Sequence, residues 1–222
     1  VTGTIQAHTF KPRDLVGGHF VIDLVNTVTA RDAEPIDWLD GYPRLLEWAA
    51  LTGQFDPAAL AELQRLAETE PGKAALALDR TRELREALHD LIAALIHQDP
   101  PAPVEAVDQV ENHWKHAVAR ARLTVRENTP QLQVSVETSG LEYLNHELVL
   151  QAFDLLRSLP LERTRVCTGL RCGWVFIDGS RGGRRRWCDM ATCGNSAKGR
   201  THYQRRRQTA NRQEHQQPPN DQ

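Results

Sequence analysis

The chain has 222 residues, 40% hydrophobic and 25% charged, a balance that excludes a wholly disordered or collagen-like polymer and leaves room for one large or two modest domains. Its net charge of −2 hides an asymmetry: from Arg163 to Arg212, thirteen Lys or Arg stand against Asp178 and Asp189, a formal +11, which leaves −13 for the rest. No stretch approaches the roughly 18 uninterrupted apolar residues of a membrane span; the best run, Phe20 to Val28, is broken by Asp23 and Asn26.

Between Asp40 and Gly53, residues Tyr42, Leu45, Leu46, Trp48 and Ala49 recur at helical spacing, and Gly53 supplies a stop. Asp56 before Pro57 marks the next helix start, because Asp caps free amides while Pro tolerates the first helical position. Leu60, Leu63 and Leu66 then form its apolar face. After Pro71 and Gly72, the series Leu84, Leu88, Leu91, Leu95 predicts a longer amphipathic helix that ends at Pro100, Pro101 and Pro103. Val107, Val110, Trp114, Ala117 and Val118 predict another. Leu123/Val125 and Leu132/Val134/Val136 alternate about Asn128-Thr129-Pro130, which reads as a hairpin. Leu141 to Leu159 is helical again and stops at Pro160. The composition shift near Leu161 places a domain boundary there, giving a front region over 1–160 and a basic module over 161–212, with a polar, disordered tail over 213–222.

All four cysteines fall in the basic module, as Cys167-x4-Cys172, fifteen residues, then Cys188-x4-Cys193. Two close thiolate pairs suit tetrahedral zinc, which would hold together a segment whose own core is too small to fold. Two disulfides fit the count as well but are disfavoured in a reducing cytoplasm. Trp174 to Ile177 reads as a returning strand, and Ser196 to Asn211 as a helix whose start the metal would pin. Along it Lys198, Arg205 and Arg212 share one face and Arg200 and Arg207 another; Arg206 adds charge, and Arg184, Arg185 and Arg186 precede it in a loop. Acidic partners are nearly absent, so these residues are candidates for nucleic-acid phosphates more than for a solvated helix face.

The segment from Cys167 through Arg207 resembles the CGNR-type zinc finger, most of all in Cys172-Gly173-Trp174-Val175-Phe176-Ile177-Asp178, Arg185-Arg186-Trp187-Cys188-Asp189-Met190 and Cys193-Gly194-Asn195. Gly17-Gly18 with Asp23-Leu24-Val25-Asn26-Thr27 is similar to the start of the ABATE domain that accompanies this finger, so the resemblance covers nearly the whole chain. It implies a stress-related bacterial transcription regulator whose finger binds DNA. Ser196 stands where the motif usually has Arg, which removes one potential contact that Lys198 and Arg200 could replace. The expected fold is mainly α with a small β-hairpin, an α+β chain, ending in a treble-clef or ribbon-like zinc module and a basic helix.

Asp23, Asn26 and Thr27 interrupt an apolar segment and either tie a helix to its neighbours or line a small-molecule pocket. His113 and His116 are spaced to share a metal, but no carboxylate pattern completes a site; Glu142 and His146 read as a surface pair. No P-loop, dinucleotide fingerprint or nucleophile elbow is present, and nothing argues for an enzyme. The expectation is therefore a cytoplasmic, zinc-containing regulator that binds duplex DNA, with no membrane partner, the front region sensing a small-molecule effector or forming a homodimer. Its rivals are an RNA-binding protein and a front-domain enzyme with a structural finger.

Overall fold

The computed structural model describes residues 3–98, 101–200 and 203 of the chain. Seven α-helices and seven short strands are assigned among them, in three small sheets. The chain is mainly α with minor β structure, as the sequence pattern predicts. No helix among the described residues is long and apolar enough to cross a membrane.

Helix α1 (Phe20–Val25) is the element that periodicity does not announce: it has six residues, buried almost all round. Helix α2 (Tyr42–Thr52) ends where Gly53 turns left-handed, and α3 (Pro57–Thr69) starts where the Asp56 carboxylate accepts the Ala58 N–H at 2.9 Å. Helix α4 (Pro71–His97) is the spine; Ala77, Leu84, Leu88 and Ile92 form its buried stripe, and it packs on α1, α2, α3, α5 and α7. Helices α5 (Val104–Arg120) and α7 (Tyr143–Ser158) close the bundle, separated by the short α6 (Val136–Ser139). Burial of each full-sized apolar side chain in this core stabilises it by about 1.5–3 kcal/mol.

A three-stranded sheet that the sequence pattern does not reveal sits beside α1. In it β1 (Thr4–Ile5) runs parallel to the central β3 (Ile36–Asp37), and β2 (Val28–Thr29) runs antiparallel to it. Strands of two residues carry no readable alternation. The predicted hairpin is present as β4 (Arg122–Arg126) and β5 (Thr129–Gln133), with Leu123 opposite Leu132. Its turn is at Glu127-Asn128, both at positive φ, so Thr129 and Pro130 are already strand residues and Val136 belongs to α6. In the C-terminal module β6 (Thr164–Val166) pairs antiparallel with β7 (Val175–Ile177). A five-residue π-turn (Met190–Gly194) then leads into helical residues 195–200. The rest of the predicted helix to Asn211, with Arg205, Arg206, Arg207 and Arg212, lies outside the described residues apart from Tyr203, as does the tail over 213–222.

Candidate metal centre and its basic surround

The two cysteine turns are built differently. Cys167 follows β6, and its N–H donates to the Trp174 carbonyl at 2.7 Å, folding the chain back so that Cys172 returns beside it. Cys188 and Cys193 are brought together by the π-turn, which the Asp189 carboxylate caps by accepting the Thr192 N–H at 2.9 Å. All four sulfurs then lie within 4.8 Å of one another. Cys172 and Cys188 are 3.7 Å apart and Cys188 and Cys193 3.8 Å, so the sulfurs are neighbours and not bonded pairs; all four are free thiols. A tetrahedron of sulfurs around a metal with bonds of about 2.3 Å has edges of about 3.8 Å. The donor set fits.

Further features support metal loading. The amides of Gly169 and Cys188 each donate to the Cys167 sulfur at 3.3 Å, bonds that favour a thiolate. A Cβ on Gly169 would lie 2.7 Å from the Cys193 sulfur, so any side chain there would fill the cradle. Hydrogen bonds from Cys172 and Cys188 hold the Cys167 thiol down, while the same partnership, with burial added, pushes Cys172 and Cys188 up. A cation at their centre is what four thiolates require.

Around this centre the arginine loop is organised by Asp178, a residue whose part in the site the charge pattern hides. It is fully buried, and its carboxylate accepts the Ser180 N–H at 2.9 Å and the Arg185 N–H at 2.8 Å. Bonding to Ser180 and Arg185 holds it down at about 2. The local signal is Asp178-Gly179-Ser180, a sequence suited to a side-chain-capped turn. Arg163 donates to the carbonyls of Asp178 and Ser180, closing the loop from the other side. Arg185 is half-buried: its guanidinium lies 4.7 Å over the Phe176 ring and its Nε donates to the Trp187 carbonyl at 2.8 Å. Arg184, Arg186, Lys198, Arg200 and Ser196 are exposed. Among the described residues, the predicted basic side chains therefore divide into one that holds the loop and several that face solvent.

Asp23, Asn26 and Thr27 are all buried, and each has an internal partner. Asn26 Nδ2 donates to the Val175 carbonyl at 2.8 Å and Oδ1 accepts the Val175 N–H at 2.9 Å, across 149 residues of sequence. The Gly17 carbonyl accepts the Ile177 N–H at 2.9 Å, and a Cβ on Gly18, at φ +83°, would press within 3.2 Å of Ile177. Asp23 accepts the Gly17 N–H at 2.7 Å; burial pushes its carboxyl up to about 6 despite that bond. Thr27 Oγ1 donates to Leu24 and accepts from Arg85, which forms a buried bidentate pair with Asp37 at 2.8 and 2.7 Å. Trp38, stacked on His8, meets Trp174 edge-on at 5.4 Å. Strand β7 is thus bonded to the front region as well as to β6.

His113, His116, Glu142 and His146, which sequence spacing leaves as two separate pairs, line adjoining cavities between α5 and α7. Among the described residues, only the four cysteines bring three or more candidate ligand atoms together.

No curated protein matches the chain. A family model described as "Putative stress-induced transcription regulator", ABATE, matches residues 18–159, and a CGNR zinc finger model matches residues 163–206. The buried contacts of Gly17, Asp23, Asn26 and Thr27 and the four-sulfur centre give these matches their physical content: the chain belongs to the ABATE family and carries a CGNR zinc finger.

Proposed function

We propose that the chain is a zinc-dependent DNA-binding transcription regulator of the cytoplasm, with residues 161–212 contacting duplex phosphates and residues 1–160 sensing a small molecule. The observation that carries this reading is the arginine loop: Asp178 fixes its backbone beside the metal centre while Arg184 and Arg186 stay exposed, in a segment of formal charge +11. Preorganised cations neutralise several phosphates without the entropy cost of ordering each one. Zinc, held by Cys167, Cys172, Cys188 and Cys193, supplies the link between the two turns; with four protein ligands it keeps no open position for catalysis.

Duplex DNA is favoured over RNA by the aromatics. Trp174 and Phe176 are buried, which removes them from base stacking; Trp187 is half-buried beside Arg186, and Tyr203 is exposed. A homodimer is supported by the β4–β5 hairpin, whose Leu123 and Val125 are 72% and 67% exposed. Selection from random duplex and RNA pools by the metal-loaded full chain tests the reading. Enrichment of related duplexes is expected; enrichment confined to RNA would contradict it.

A further inference from the structure

The junction of α4, α5 and α7 holds a cleft that no part of the finger uses. One cavity of about 210 Å³ is lined by Arg80, Glu83, His113, His116, Glu142 and Asn145, and an adjoining one of about 470 Å³ shares Arg80, His116 and Glu142 and adds Arg120, Ser139 and His146. Ala119 is the only apolar side chain lining either one, apart from glycine. An acyl chain has no continuous apolar wall to lie on.

Residues that line the cleft also carry unspent hydrogen-bonding capacity just beneath its surface. Asn145 is 2% exposed; its Oδ1 accepts from His113 Nδ1 at 3.1 Å, and its Nδ2 has no partner. His146 is 3% exposed; Nε2 faces Glu142 at 3.5 Å, and Nδ1 has no partner. Ser139 Oγ is buried and unpartnered too. Burial holds both His113 and His146 below their ordinary pKa, so with Nε2–H turned to Glu142 the His146 Nδ1 is an acceptor. Buried donors and acceptors are nearly always paired, and three unpaired ones in one region are unusual in a native core.

We infer that this cleft binds a free amino acid, or a close derivative bearing both a carboxylate and a protonated amine. The carboxylate would take the Asn145 Nδ2 donor and the remaining N–H groups of Arg80, whose pairing with Glu142 uses one of five. The amine would lie against Glu83 and Glu142 and supply protons to free acceptors. Both signs of charge on one small wall of mostly polar residues suit a zwitterion better than a simple anion or cation. The smaller cavity falls below the size of drug-like pockets, which suits a ligand of this kind. Helix α7 runs from this cleft to Leu159, and the Pro160 carbonyl after it accepts from Thr164, the first residue of β6, so an occupied cleft bears on the strand that leads to Cys167. The inference deepens the sensing half of the proposed function and rests on it for the consequence of binding, not for binding itself.

The test is calorimetric titration of the metal-loaded full chain with each of the twenty amino acids, repeated on Asn145→Asp and on His116→Ala. Saturable binding of at least one amino acid, weakened about ten-fold or more in both variants, is expected. His116 is exposed, so its variant reports on binding even if Asn145→Asp unfolds. Three results overturn the inference: no amino acid binds at millimolar concentration, binding is unchanged in His116→Ala, or the cleft takes only Zn²⁺ or Ni²⁺. Duplex affinity measured with and without the bound amino acid separates this site from the DNA reading, since ligand binding without DNA binding would leave the cleft standing and remove the regulator.

Discussion

Asn26 in the front region reads the backbone of Val175 in the finger at both polar atoms, as a donor at 2.8 Å and an acceptor at 2.9 Å. Only an amide side chain of this length makes both bonds at once. Asn26→Asp keeps the acceptor but turns a carboxylate oxygen toward the Val175 carbonyl. It should cost about 2–3 kcal/mol. Thermal unfolding should show a lower midpoint, and limited proteolysis faster cleavage within 164–177; an unchanged midpoint would show that the junction is not bonded this way.

Metal removal should propagate across the same contact. One metal per chain is expected by elemental analysis, lost in Cys188→Ser. Because Val175 belongs to the main core, chelation should speed hydrogen exchange at the Val175 and Ile177 amides while those of Leu84 and Leu88 in α4 stay protected. Protection retained throughout after metal loss would mean the finger folds without its ion.

The raised carboxyl of Asp23 has a signed pH dependence. With a native pKa of about 6 against an ordinary 3.8, the folded chain holds a proton there that the unfolded chain has released. The stability this confers is complete below the unfolded value and is lost as pH rises through about 6. Asn in its place still accepts the Gly17 N–H and does not titrate. The stability of the native protein relative to Asp23→Asn should therefore fall by about 2–2.5 kcal/mol from pH 4 to pH 7. A constant difference across that range would contradict the burial of an ionisable group here.

Arg85 should be among the least tolerant positions, since Thr27 and Asp37 both depend on its guanidinium and its side chain is 3% exposed. Arg85→Met leaves the Asp37 carboxylate buried without its bidentate partner and should cost about 3–5 kcal/mol. Adding Asp37→Asn, which keeps an acceptor for the Leu39 N–H, should recover part of that loss in urea unfolding. A double variant whose cost equals the sum of the Arg85→Met and Asp37→Asn costs would mean the two side chains act independently.

The sequence is legible where its signals are local. The Asp56-Pro57 cap, the leucine stripe of α4 and the two Cys-x4-Cys turns each carry their meaning within a few residues, and the structure has them in place. Helix α1 escapes because a six-residue helix buried on nearly every side has no polar face to set a period. Asn26 is visible as a polar break, but its partner is 149 residues away. His113 with His116 and Glu142 with His146 are regular spacings on two helices; only the packing of α5 on α7 makes them one cleft. Arg185 differs from Arg184 and Arg186 for a similar reason, since the Phe176 ring beneath its guanidinium comes from β7, distant along the loop.

The salt dependence of duplex binding by the full, metal-loaded chain tests the division among the three arginines directly. Arg184→Ala and Arg186→Ala should each weaken binding to unrelated duplexes alike and flatten the slope of log K against log salt by about 0.9. Arg185→Ala should lower the thermal stability of the finger, because it removes the Phe176 stack and the Trp187 bond. A chain that fails to bind any duplex at low salt, or one whose slope is unchanged in both Arg184→Ala and Arg186→Ala, would contradict a finger built to hold phosphates.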